Sequence, residues 1–118
     1  MLDPTQVLEN LKLWGINPKI GVQDEDETNI IETAENIINL NREMDLLYQS
    51  TNLYMNFSDC FFIGNNGGGD LYFLRAIKGK IEMIDVFLWN HESDSRTWFA
   101  NTPKDLLSRH KESMESGE

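Results

Sequence analysis

Cysteine is almost missing from this chain of 118 residues: Cys60 stands alone, so no internal disulfide can form and the default compartment is the reducing cytoplasm. Long apolar runs are missing too. None approaches the roughly 20 residues that span a bilayer, which argues against membrane insertion. The opening MLDPTQVLEN has neither the basic start nor the apolar stretch of a signal peptide. Basic residues are scarce, with ten Lys and Arg against twenty Asp and Glu. Nucleic-acid binding rests on neutralising phosphates with cations, so this balance argues against a nucleic-acid partner.

What is present is acid. The formal net charge is −10, of which −7 lies in residues 1–50 and −3 in residues 51–118. Such a surface keeps a protein soluble and also speeds encounter with a basic partner. Apolar residues make up 40% and aromatic residues 10%, which excludes wholesale disorder. The length suits one domain, assigned to residues 1–110 with a flexible polar tail over 111–118.

Asp3-Pro4 predicts a helix start, with Val7, Leu8, Leu11 and Trp14 on one face and Gly15 at its end. Short strands are expected near Lys19–Val22 and Asn29–Glu32. Between them, Asp24, Glu25, Asp26 and Glu27 form a charge run. These are hard oxygen ligands, but the alternation, central glycine and closing Glu of a calcium loop are absent, so a solvated turn is the plainer reading. Thr33 reads as the N-cap of a second helix reaching about Leu47. Its buried stripe is Ala34, Ile37, Ile38, Leu40 and Met44, with Glu35, Asn39 and Arg42 outward. Leu46, Leu47, Tyr48, Leu53, Tyr54, Met55 and Phe57 are expected in an irregular segment packed across the sheet's rim.

From Cys60 the period changes. Cys60–Ile63 is a short continuous apolar run that suits a buried central strand. Asp70–Ala76 predicts the next strand, Lys78-Gly79-Lys80 a tight hairpin turn, and Ile81–Trp89 further strands bent near Asp85. Thr97–Ala100 is a last strand. Thr102-Pro103 opens a helix through about Arg109 with Leu106 and Leu107 buried. Helices first, then clustered strands with short connections, then a closing helix predict an α+β fold with a mostly antiparallel sheet flanked by helices.

Two stretches invite chemical readings. Gly64–Asp70 (GNNGGGD) is glycine-rich, but a phosphate loop needs a Lys and a Ser or Thr opening a helix, and here an acid and a strand follow. It reads as a wide turn running from Gly64 to Gly69, whose amides Asp70 can cap. In Trp89–Trp98 (WNHESDSRTW), zinc would need three or four ligands, and only His91 with Glu92 or Asp94 is local; His110 is the sole other histidine. No nucleophile elbow accompanies a Ser–His–acid set. The expected arrangement is a polar connection in which Asp94 caps amides, Arg96 pairs with an acid, and Trp89 and Trp98 pack beneath. Phe61, Phe62 and Ile63 would bury Cys60 and raise its thiol pKa, the reverse of activation.

Taken together, FFIGNNGGGDLYFL (61–74), IDVFLWNHESDSRTWFANTPKDLL (84–107) and IIETAENIINLN (30–41) resemble the SUKH superfamily, the Smi/Knr-like domains. The segment from Leu2-Asp3-Pro4 to Trp14-Gly15-Ile16 is similar to that family's opening in degraded form. Asn90 stands where an Asp commonly precedes His-Glu. The family's first helix is missing ahead of Pro4, which implies a shortened member or one begun from an internal start, with part of its sheet left for a partner or a homodimer. The resemblance implies a mixed sheet backed by helices and no catalytic constellation or cofactor. Gly64, Gly69, Asp70, Trp89, His91, Glu92, Asp94, Arg96 and Trp98 are then motif residues of the scaffold. It also implies a protein-binding role: bacterial members are immunity proteins that neutralise a toxin, often a nuclease, and fungal members are cell-wall regulators. On that footing Asp24, Glu25, Asp26 and Glu27 are the expected contacts for a basic toxin domain, with no metal, no nucleic acid and no membrane involved.

Overall fold

The computed structural model describes residues 4–50, 59–76, 81 and 83–116, the side chains of 48–50 and 113–116 excepted. The expectations for Leu53–Phe57 and for the turn Lys78-Gly79-Lys80 lie outside these residues. Among the described residues three helices and six strands follow in the order α1 (Pro4–Leu13), β1 (Val22–Gln23), β2 (Asn29–Ile31), α2 (Ala34–Ser50), β3 (Cys60–Asn65), β4 (Leu71–Arg75), β5 (Val86–Asn90), β6 (Ser95–Ala100) and α3 (Pro103–Ser116). All strand pairs are antiparallel, in a β1-β2 hairpin and a four-stranded β3-β4-β5-β6 sheet, so the fold is α+β.

Each helix has a local cause. Ile16 N–H donates to Leu11 O at 2.9 Å and Gly15 N–H to Lys12 O at 3.0 Å, the paired bonds that close α1. Val7 and Leu11 of α1 are buried, whereas Leu8 turns outward. Thr33 Oγ1 accepts the Asn36 amide at 3.2 Å and caps α2. Ala34, Ile37 and Met44 are buried as their spacing predicts, with Glu35, Asn39 and Arg42 exposed. Thr102 Oγ1 accepts the Asp105 amide at 2.9 Å, and Asp105 Oδ2 reaches back to the Asn101 amide at 3.3 Å. α3 does not stop near Arg109. It continues to Ser116, so residues 111–116, assigned to the polar tail, are helical, and His110 lands on the buried face one turn beyond Leu106.

The sheet carries a core on each side. On one face Phe61, Ile63, Tyr72, Leu74, Val86 and Ala100 meet α1, α2, the hairpin and Leu106 of α3. On the other, Phe62, Phe73 and Trp89 meet Met44, with Leu40, Leu71 and Phe87 alongside. Cross-strand register builds the second row: Phe62 opposes Phe73, which opposes Phe87, with ring centroids 5.7 and 5.6 Å apart.

Two expectations are corrected here. Phe61–Ile63 is buried and Cys60 half-buried, but β3 lies at the edge of the four-stranded sheet rather than at its centre. Its apolar run is continuous because both faces carry a core, and its outer edge is closed by other means. Asn41 of α2 accepts the Phe62 amide and donates to the Phe62 carbonyl, both at 2.9 Å, as a neighbouring strand would. Farther along, Glu32 N–H donates to Ile63 O at 2.7 Å. The second correction concerns Gly64, which is no turn residue. It sits inside β3 at a register irregularity, and a Cβ there would stand 1.7 Å from the Ile30 carbonyl oxygen. Gly64 is glycine because β2 crosses directly over it. The turn itself spans Asn66–Asp70, closed by Asn66 N–H to Asp70 O at 3.2 Å.

Candidate functional site

At one end of the sheet the β3–β4 and β5–β6 loops are tied together. Asp70 Oδ1 accepts both the His91 amide (3.1 Å) and the His91 ring Nδ1 (2.6 Å). Gly69 makes room for that ring: it has a φ of +98°, and a Cβ on it would stand 2.9 Å from His91 Cε1. Burial works to raise the Asp70 carboxyl, but the bonds from the His91 ring, its amide and Asn66 outweigh it and hold the group below the usual carboxylate range. Asp70 therefore does not cap the glycine loop. The Gly67 and Gly68 amides are held by the Asn65 and Asn66 side chains instead.

The next loop departs from expectation in the same way. Asn90 Oδ1, not Asp94, accepts the Glu92 and Ser93 amides. Asp94, at a φ of +54°, accepts the Trp89 indole N–H at 2.6 Å and lies 3.6 Å from Arg96. Arg96 also lies 4.0 Å from Asp59, so it pairs with acids as expected. Trp89 is buried beneath this loop, but Trp98 is 46% exposed and does not pack there; the Arg109 guanidinium sits 4.9 Å over its ring. The structure thus brings together Gly69, Asp70 and His91, and separately Trp89, Asp94 and Arg96, while Glu92 points to solvent 3.9 Å from His91 Nε2.

An Asp-oriented imidazole with an outward Nε2 is half of a catalytic dyad, yet Ser93 bonds Ser95 rather than His91. No three His, Cys, Asp or Glu side chains gather as a metal site among the described residues. Burial pushes the Cys60 thiol up to about 12, against the pull of Arg96, so it is a poor nucleophile.

The acidic run is the β1–β2 turn. Glu27 N–H closes on Asp24 O at 3.1 Å, Glu27 takes a left-handed φ of +63°, and Glu25, Asp26 and Glu27 are exposed. Asp24 is different. Its Oδ1 accepts the Asp26 and Thr28 amides, both at 2.9 Å, and its Oδ2 lies 3.1 Å from His110 Nε2. The Thr28 amide first, then His110 and Asp26, hold its carboxyl below the usual range against the opposing effect of burial. On the far side of the imidazole, Tyr72 Oη lies 2.8 Å from His110 Nδ1. A cleft of about 340 Å³ opens between the turn and α3, with Asp24, Glu25 and Asp26 on one wall, Leu107 and Lys111 on the other, and Ile30 between.

Sequence reasoning missed Asn41 and the Tyr72–His110–Asp24 chain. Both had a signal: Asn41 lies four residues after Ile37, and His110 four after Leu106, each on the buried stripe of its helix. A polar residue on such a stripe must find a partner.

In a comparison with known families, the family described as SMI1-KNR4 cell-wall (SUKH_6) matches residues 18–107. No curated protein and no solved structure matches the chain. The matched span runs from the turn before β1 to the first turns of α3, so it contains both sheets and α2. No helix among the described residues is long and apolar enough to cross a membrane.

Proposed function

Because the chain belongs to the SMI1-KNR4 cell-wall family, we propose that it is a non-enzymatic protein-binding domain that neutralises a basic toxin domain in the cytoplasm by direct contact. The observation that carries this reading is the placement of the negative charge. The chain is −10 overall, and Glu25, Asp26 and Glu27 stand exposed on a turn ordered by its own hydrogen bonds. A carboxylate-rich, ordered turn complements the cationic groove of a phosphate-cleaving nuclease and can occupy it in place of phosphate.

Co-expression with the toxin encoded beside the gene tests this. The toxin is expected to co-purify at nanomolar affinity and to lose its toxicity to the host. A neighbouring toxin that neither binds nor is restrained rules the reading out. The family's description as cell-wall favours a second reading, an intracellular regulatory module with several partners. Affinity capture from the native cell separates the two, since a regulator brings down several housekeeping proteins and an immunity protein one toxin.

A further inference from the structure

His110 is 2% exposed, the one buried side chain outside the apolar and aromatic core residues among the described residues, and it joins three elements. It projects from α3, meets Tyr72 of β4 on one ring nitrogen and meets Asp24 of the β1–β2 turn on the other. Asp24 is in turn the residue that organises the turn, since its second oxygen holds the Asp26 and Thr28 amides.

The donors and acceptors allow one neutral arrangement. A carboxylate only accepts, so Nε2 must carry the hydrogen that faces Asp24. Nδ1 is then an acceptor and takes the Tyr72 hydroxyl hydrogen. Burial first, with Asp24 and Asp70 adding to it, pushes the Tyr72 phenol well above its ordinary value, so that hydroxyl keeps its hydrogen. Tyr72 is itself buried, and Phe99 lies against its ring at 5.0 Å, which leaves the hydroxyl little freedom to turn.

We propose that His110 is a positioning residue for partner binding: as its Nε2–H tautomer, set by Tyr72, it clamps Asp24 and so holds the acidic turn in one conformation ahead of contact. The inference rests on the reading that this turn meets the partner. A clamped turn enters the complex with its backbone already ordered, so less conformational entropy is lost on binding. Asp24 also lines the cleft between the turn and α3.

Two substitutions of similar size separate a clamp from simple filling of the core. In His110→Gln the side-chain amide reaches the Nε2 position and still donates to Asp24. In His110→Asn the shorter amide reaches only the Nδ1 position, so it keeps Tyr72 and releases Asp24. Amide hydrogen exchange at Asp26 and Thr28, corrected for global stability by urea unfolding, is expected to speed up about tenfold or more in His110→Asn, the scale of one lost charge-assisted bond, and to stay within about threefold in His110→Gln. Affinity for the toxin encoded beside the gene is expected to fall in the same order. In the unmodified protein, ring nitrogen chemical shifts should report hydrogen on Nε2, a measurement that needs no variant to fold.

Equal exchange in the two variants, or hydrogen on Nδ1 with none on Nε2, overturns the clamp. Differential exchange with unchanged toxin affinity overturns the positioning role while leaving toxin binding intact. A toxin that never binds the unmodified protein removes the proposed function instead, and the exchange and ring measurements still decide the clamp.

Discussion

At the scale of single residues, the polar side chains around the sheet act as ties between segments far apart in sequence. Asp70 holds His91, Asp94 holds Trp89, and Asp24 holds His110. Sequence reading takes Asp70 and Asp94 as caps of their own loops and Asp24 as part of a solvated charge run. Asp70 makes a pH prediction. Its folded carboxyl lies below the ordinary value of about 3.9. The unfolded chain therefore binds the proton first as pH falls, so the stability that Asp70 contributes is full above about pH 4 and is lost as pH drops through the folded value. The Asp70 side chain is 18% exposed and its partner His91 40%, so solvent screens the pair and the effect is modest. Unfolding free energies measured by urea from pH 6 down to pH 3 should decline more gently in Asp70→Asn than in the parent. An unchanged acid limb would mean that the His91 tie contributes no linkage.

At the scale of elements, β3 and α2 are the instructive pair. An edge strand normally exposes unpaired amides and carbonyls, and β3 avoids this at Phe62 with one side chain. Asn41→Ala should remove the side-chain partner of both the Phe62 N–H and the Phe62 carbonyl and destabilise the domain by up to about 2–6 kcal/mol, from about 1–3 kcal/mol for each buried polar group that loses its partner. Urea unfolding with an unchanged m-value checks it; a loss under 1 kcal/mol by the same measurement would mean that water replaces Asn41. That the 60–63 run was a strand, and buried, was legible from its apolar continuity. Its place at the edge was not, because a side-chain amide standing in for a strand leaves no period in the sequence. Gly64 is a similar case. Its glycine is visible, but whether it turns or makes room depends on where β2 passes.

At the scale of the whole molecule, the charge sets how the chain meets other proteins. Neutralising the exposed turn with Glu25→Gln, Asp26→Asn and Glu27→Gln together should slow association with a basic toxin by about tenfold at low salt, with a smaller change in dissociation. Stopped-flow or surface-binding kinetics at about 20 and 200 mM salt would show it, and the difference should shrink at the higher value as screening shortens the reach of the field. Equal on-rates at low salt would move the contact surface away from the turn. These three side chains are exposed, so their removal should leave the fold intact.

The sequence by itself determined the α+β class, the N-caps at Thr33 and Thr102, the buried stripe of α2, the strand character of residues 60–63 and 71–75, and the family through its 61–74 and 84–107 motifs. All of these rest on local periodicity, capping chemistry or short-range order, which neighbouring residues decide among themselves. Only the tertiary structure decided that β3 lies at an edge, that Gly64 yields to Ile30, that Asp70 holds His91 rather than the glycine amides of its own loop, and that Asp24 belongs to His110, 86 residues away. The physical reason is common to all four. A hydrogen bond or a steric limit between distant segments depends on how the chain packs in three dimensions, and a buried polar group takes whichever partner packing brings within reach.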